Sequence, residues 1–417
     1  MSGATVITGG TYLLELSSGY DGEAFYLDQS ELNGPDVLDG DGEDYNDITD
    51  VVQLITISRG RHKPLDVFGP GTMSVSISVP VGNRSYDPFN TSSVYYNQLT
   101  DQPGLAPLRP IRLSRNGEYL FTGVVTTFNQ TYNMAGMTTY NIAAADNIYV
   151  LAQGNLPETV TTSQTSSARI TAVLSAAAYT GATSLTASPT ATLGAYTIAS
   201  GTNVNGYINR IQQAEQGRIF CDRENTLTAQ GRIGTTLAAP TATFNDIGTA
   251  TPYDTVLVEF DQQTVINNAN VTIESGGALQ NASNPASIAQ YFTQTEAITD
   301  SLLSTDGQAA TLASYLLYPN PRPRFTSVST TFASLSDAQK TALAPIEIGQ
   351  TVAITKTFAS GTPLSINQDL SVEGIDHVID MNTGHRMTLW TSPTIILDQF
   401  ILDDITFGVL STTNALG

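Results

Sequence analysis

The chain has one cysteine, one tryptophan and three histidines in 417 residues, and only 13% of its residues are charged. The single thiol, Cys221, excludes an internal disulfide framework and any cysteine-based zinc cluster. The histidines, His62, His377 and His385, stand in no H-E-x-x-H or H-x-H pattern. His377 follows Asp376 in a strand-like run. Neighbours on a strand point to opposite faces, so the two cannot form a dyad, and an ordinary strand-end histidine is expected. No G-x-S-x-G elbow, P-loop or dinucleotide fingerprint occurs, and Gly374 and Gly384 read as bulge or turn glycines. No apolar run is long enough to span a bilayer. The first residues show no basic segment followed by an apolar one, so no signal peptide is expected. Cations are scarce as well: 17 Lys and Arg stand against 38 Asp and Glu, a formal net charge of −21. That argues against nucleic-acid adhesion, which needs clustered Lys and Arg, while allowing DNA to pass without sticking. An acidic surface also serves plain solubility.

What is present points to β structure. Hydrophobic residues make up 41% of the chain, enough for folded cores. At this length two or three domains are expected. Val75, Ile77 and Val79 alternate with serines, the pattern of a strand with one buried and one wet face. Further strands are read at 12–16, 51–58, 108–114 and 119–125, with a hairpin turning at Gly136, and residues 1–152 form a first β domain. Residues 153–250 change character. Ile170, Val173, Leu174 and Ala177 have helical spacing, as do Tyr207, Ile208 and Ile211 with Ala214. A hairpin is read around Glu224 and Asn225, giving a small α+β insertion domain. The Thr/Ser/Ala/Pro segment 180–202 reads as extended edge strands or a loop. Residues 251–417 return to strands, at 256–260, 270–273, 326–332, 351–357, 370–379 and 387–390. One helix at 308–317 interrupts them, and Pro319 and Pro321 end it. The fold class is therefore mainly β with a small α+β insertion.

Few residues invite a chemical reading. Asp39, Asp41 and Glu43 alternate in an acidic loop as calcium ligands would, but the loop lacks the glycine and closing glutamate of an EF-hand. A solvated or channel-facing loop is the expectation. Glu23 and Asp28 give no basis for a glycosidase pair, whose carboxylates need a defined separation. Arg59, Arg61, His62 and Lys63 form a basic turn, read as ionic pairing with an acidic partner subunit that fixes register. Arg109, Arg112 and Arg115 alternate less regularly, and Arg322 and Arg324 are placed to meet the last carbonyls of the 308–317 helix. Tyrosine, 18 against a single tryptophan, suits protein interfaces better than sugar platforms, and Tyr95 and Tyr96 are read so. The run 395–402 holds Ile395, Ile396, Leu397, Phe400, Ile401 and Leu402. It is too apolar for a free tail and is expected to lie against another chain, with folding back on its own domain as the alternative.

The order of motifs carries a resemblance. After the basic turn and the alternating strand come Tyr86-Asp-Pro-Phe-Asn90, then Leu108-Arg-Pro-Ile-Arg-Leu-Ser114, then Tyr119-Leu-Phe-Thr-Gly-Val-Val125. Tyr140-Asn-Ile-Ala-Ala-Ala-Asp146 follows, and the segments 208–220, 268–273, 286–291, 319–324, 370–377 and 386–390 complete the series. This resembles the minor tail proteins of long-tailed, siphovirus-like bacteriophages, the tail-tip hub family, from residue 22 to residue 393.

The resemblance implies two tail-tube-like β-barrel or sandwich domains, packed so that a homotrimer mimics a six-fold ring. It implies a structural subunit of the tail tip, or baseplate hub, that closes or extends the tail tube. The implied partners are distal tail or tube ring proteins, the tape-measure protein, and fibre or receptor-binding tip proteins. DNA would pass through the lumen without specific binding during ejection. Neither an enzymatic activity nor a cofactor is expected. The place would be the virion, after synthesis in the host bacterial cytoplasm. A receptor- or carbohydrate-binding tail fibre or adhesin is the alternative, and a tail-associated glycan hydrolase stands third.

Overall fold

The computed structural model describes residues 5–7, 9–18, 45–63, 66–97, 101–134, 136–185, 191–231, 239–274 and 276–393. The acidic loop with Asp39, Asp41 and Glu43, and the run 395–402, lie outside the described residues.

Alternation at period two governs the chain. In Thr72–Pro80 the residues Met73, Val75, Ile77 and Val79 are buried while the serines face outward. Gly10–Ser17 buries Tyr12, Leu14 and Leu16 in the same way. The hairpin expected around Gly136 joins Glu118–Thr131 to Met137–Ala145. These strands form one antiparallel array in the order Thr5–Ile7, Gly10–Ser17, Pro110–Arg115, Glu118–Thr131, Met137–Ala145, Thr72–Pro80 and Val52–Gly60.

The sheet does not stop there. Val52–Gly60 pairs antiparallel with Ser365–Asp380, and the array continues through Gly384–Pro393 and Arg324–Thr331 to Thr255–Glu259. The two β units are thus one hydrogen-bonded sheet. Ser365–Asp380 makes the join because it changes partner along its length. Its first half pairs with Thr351–Thr357, and its second half, from Gly374 onward, pairs with Val52–Gly60.

Among the described residues three hydrophobic cores result. The first holds Leu14, Ile55, Val75, Ile77, Phe121 and Ile142. The second, in the C-terminal β unit, holds Phe244, Phe325, Val328, Val352, Ile375 and Leu389. The third lies around the helices Ser166–Ala176 and Val204–Glu215, whose N-caps are Thr165 and Asn203. Its membership departs from the boundary expected at 250/251. Val271, Ile298, Leu312 and Ala313 pack into this helical core, because the helix Asp306–Leu316 lays its apolar face on the strand Asn268–Ile273. Ala242 and Phe244 move the other way. Their strand, Ala242–Asn245, adds in parallel to Thr351–Thr357 and so joins the C-terminal core.

Candidate functional site: the seam between the β units

The join of the two units is set by two glycines. Gly60 has φ +87°, and a Cβ there would stand 2.2 Å from the Glu373 carbonyl oxygen. Opposite it, a Cβ on Gly374 would stand 2.6 Å from the Arg61 carbonyl oxygen. Only glycine lets the two backbones approach this closely. The Arg61 amide then donates to the Glu373 carbonyl at 2.9 Å. Gly374 is a bulge glycine, as expected: the register with Gly384–Pro393 shifts between Val372 and Gly374. The bulge turns the side chain of Glu373 inward instead of out to solvent.

Glu373 is 2% exposed and ties three parts of the chain together. It accepts from Arg61 Nε at 2.9 Å, from Arg218 Nε at 3.2 Å and Nη2, and from Ser392 Oγ at 2.7 Å. Arg61 belongs to the first β unit, Arg218 to the helical unit and Glu373 to the C-terminal β unit. Burial pushes the Glu373 pKa up, but Arg218 and Arg61 outweigh that and hold it below the ordinary glutamate value. Beside this cluster, Arg59 Nη1 donates to Glu347 at 2.8 Å, and the Arg223 amide donates to the other Glu347 oxygen at 3.0 Å.

These contacts correct the reading of the basic turn. Arg59 and Arg61 carry ionic register, but within the chain: both are buried or nearly so and paired to its own carboxylates. Lys63 is exposed at the end of the turn. His62 is half-exposed and stacks on Trp390, with ring centroids 4.3 Å apart. Trp390 Nε1 donates to Asp376 Oδ2 at 2.6 Å, so Asp376 faces outward, away from His377.

His377 is more than a strand-end residue. It is fully buried, its Nδ1 lies 2.9 Å from His385 Nε2, and His385 Nδ1 lies 2.7 Å from the Tyr12 hydroxyl. A hydrogen-bonded line thus runs from the C-terminal hairpin into the first β unit. Burial, with Arg59 nearby, pushes the His377 pKa down to about 3. Burial first, then His377 and Arg115, hold His385 well below the ordinary histidine value. Both rings are therefore neutral at pH 7. Arg115, also buried, lies over the rings of Phe332 and Tyr12. The signal was in the sequence: His377 and His385 occupy the same alternating set as Ile375, Ile379, Met387 and Leu389, the inward face of a hairpin.

Asp146 fixes the passage from the first β unit to the helical one. It caps the helix Asn147–Gln153 by accepting from the Ile148 amide at 2.9 Å, and it accepts from the Gly71 amide at 2.6 Å. Burial raises its pKa to about 7 against the lowering effect of these amides.

Other expected roles fall elsewhere. Tyr96 is buried with its hydroxyl on Asp101, and Tyr95 stacks on Tyr86 at the edge of the first core, so both rings pack within the chain. Arg324 pairs with Glu259 at 3.1 Å and not with helix carbonyls. Arg112 pairs with Glu15 and lies over the Tyr45 ring. Among the described residues, no group of three or more His, Cys, Asp or Glu side chains could hold a metal ion, and no helix is long and apolar enough to cross a membrane.

No family model matches the sequence, and neither does any curated protein sequence. Solved structures do match over nearly the whole length. The 43 kDa tail protein of prophage MuSo2 from Shewanella oneidensis superposes with a TM-score of 0.58 at 10% identity, over 92% of this chain and 98% of that one. The tail protein from Neisseria meningitidis MC58 gives a TM-score of 0.60 at 10% identity, over 91% and 96%. The chain has the fold of these tail proteins. At such identity the likeness speaks for the architecture, and that architecture is the mainly β one expected.

Proposed function

We propose that the chain is a structural subunit of a bacteriophage tail tip, a hub that assembles as a homotrimeric ring and closes or extends the tail tube. The observation that carries this reading is the continuous sheet through two β units, in a fold shared end to end with two tail proteins. Three copies with two β units each supply six wall elements, the number a six-fold tube end presents. A wall under load must resist shear between its units. Here the Gly60–Gly374 approach, the Glu373 cluster and the Tyr12–His385–His377 line all cross the joins. In this reading the ring docks on distal tail or tube proteins on one side and carries fibre or receptor-binding proteins on the other. Its lumen receives the tape-measure protein and later passes DNA, which the net charge of −21 per copy helps to keep from adhering. The role is mechanical, without catalysis or cofactor, and its place is the virion. Co-expression with the adjacent tail proteins, followed by sedimentation and electron microscopy, tests it. Incorporation at the tip as a three-fold ring is expected. A chain that never enters tails overturns the reading.

A further inference from the structure

We infer that the outer edge of the sheet, the strand Thr255–Glu259, seats the C-terminal apolar segment of a neighbouring copy of this chain. The inference rests on the oligomeric reading above and names one of its contacts. Thr255–Glu259 pairs on one side, with Arg324–Thr331, and among the described residues no strand adds to its other side. The register shifts between Leu257 and Val258, because Thr326 is an extra residue in the facing strand. Leu257, Val258 and Phe260 are 53%, 54% and 67% exposed, in nearly consecutive positions. Natural sheets cover, charge or shorten their edges, because a free apolar edge templates further strands. Here the strand's one charged side chain, Glu259, is already paired with Arg324.

The chain's own course suggests the occupant. Gly384–Pro393 and Thr255–Glu259 are both antiparallel to Arg324–Thr331, so they run in the same direction. The chain leaves Pro393 at the Phe260 end of the strip and continues into residues 395–402, of which all but Asp398 and Gln399 are apolar. A copy's own segment fits the strip poorly. The vacant position beyond Thr255–Glu259 lies three strand spacings from Gly384–Pro393, about 14 Å. At roughly 3.5 Å per residue the crossing takes about four residues. Ile395, Ile396 and Leu397 would be spent over the sheet end, and half of the apolar run would miss the strip. A segment from a neighbouring copy would not be tied to this edge by that crossing, so its full length would be available to the strip.

Two full-length variants test this, Val258→Cys and Phe400→Cys, made separately and mixed under mild oxidation. Native Cys221 is buried and does not compete. A disulfide-linked pair that forms only in the mixture, and more at higher concentration, is the expected result. Adding Val258→Lys to a cysteine-free strip should lower the association constant about tenfold or more. A doubly substituted chain that closes its own disulfide at every dilution would make the occupant the same copy and overturn the inference. Linked pairs of Val258→Cys alone would show strip pairing with strip, which also overturns it. Rings that sediment normally but never cross-link would overturn the seat and leave the oligomeric reading standing. A chain that stays monomeric even with its tail partners would overturn both.

Discussion

Replacing Glu373 by Gln removes one charge from a site where three parts of the chain meet. The amide keeps the shape and can still accept hydrogen bonds on its one carbonyl oxygen. It leaves the guanidinium groups of Arg61 and Arg218, 15% and 11% exposed, without their shared counter-charge. Breaking a buried pair by removing one partner typically costs about 3–5 kcal/mol, because the remaining charge stays desolvated. Partial solvent access to both arginines puts the expectation for Glu373→Gln near the lower end, about 3 kcal/mol. Urea unfolding followed by near-UV circular dichroism measures it. The pH dependence supplies a second check. The folded pKa of Glu373 is depressed, so its stabilisation is present above the ordinary glutamate value and is lost as pH falls through the folded pKa. The difference between wild type and Glu373→Gln should therefore be full at pH 7 and shrink in acid. Adding Arg218→Met to the variant should cost less than Arg218→Met costs alone. A Glu373→Gln protein within about 0.5 kcal/mol of wild type at pH 7 would refute the claim that this carboxylate holds the seam.

Further outcomes follow from the same geometry. Gly60→Ala brings a Cβ to 2.2 Å from a backbone oxygen at positive φ, and should cost about 3 kcal/mol in denaturant unfolding. His377 is neutral in the folded chain with a pKa of about 3, so the unfolded chain takes up its proton first as pH falls below about 6.5. Between pH 7 and 4.5 this should remove about 2–3 kcal/mol, so a pH series of melts should show a smaller acid loss in His377→Gln, with the part due to His385 remaining. Asp146→Ala removes a helix cap that also holds Gly71, and should cost about 1–2 kcal/mol while raising amide exchange at Gly71 and Ile148. Truncation after Pro393 should leave a folded subunit that fails to assemble, as judged by circular dichroism and sedimentation.

Strands whose apolar residues alternate were legible from sequence because one face is buried along their full length. Thr72–Pro80 and Asn268–Ile273 are examples, and so is the helix Asp306–Leu316 with its apolar stripe. Short helices such as Pro285–Tyr291 and Asp337–Leu343 were not, because two turns give too little periodicity to separate from a loop. The division into cores was misplaced for a different reason. Residues 268–317 are separated from the helix Val204–Glu215 by several strands, and their packing partner is decided by tertiary contacts that local pattern does not encode. The basic turn was recognised as ionic, but its partners lie 288 and 312 residues away in the same chain, and composition cannot distinguish them from a second subunit. Motif spacing alone does not join His377 to His385. Their shared inward parity across the Gly384 turn would have paired them.

The most direct test of the account is the structure of the full-length protein by electron cryo-microscopy, alone and bound to its adjacent tail proteins. The account predicts a closed three-fold ring in which each copy contributes both β units to the wall and keeps the Glu373 cluster within the chain. A compact monomer under both conditions, or a ring in which the two β units separate at Gly60 and Gly374, would contradict it.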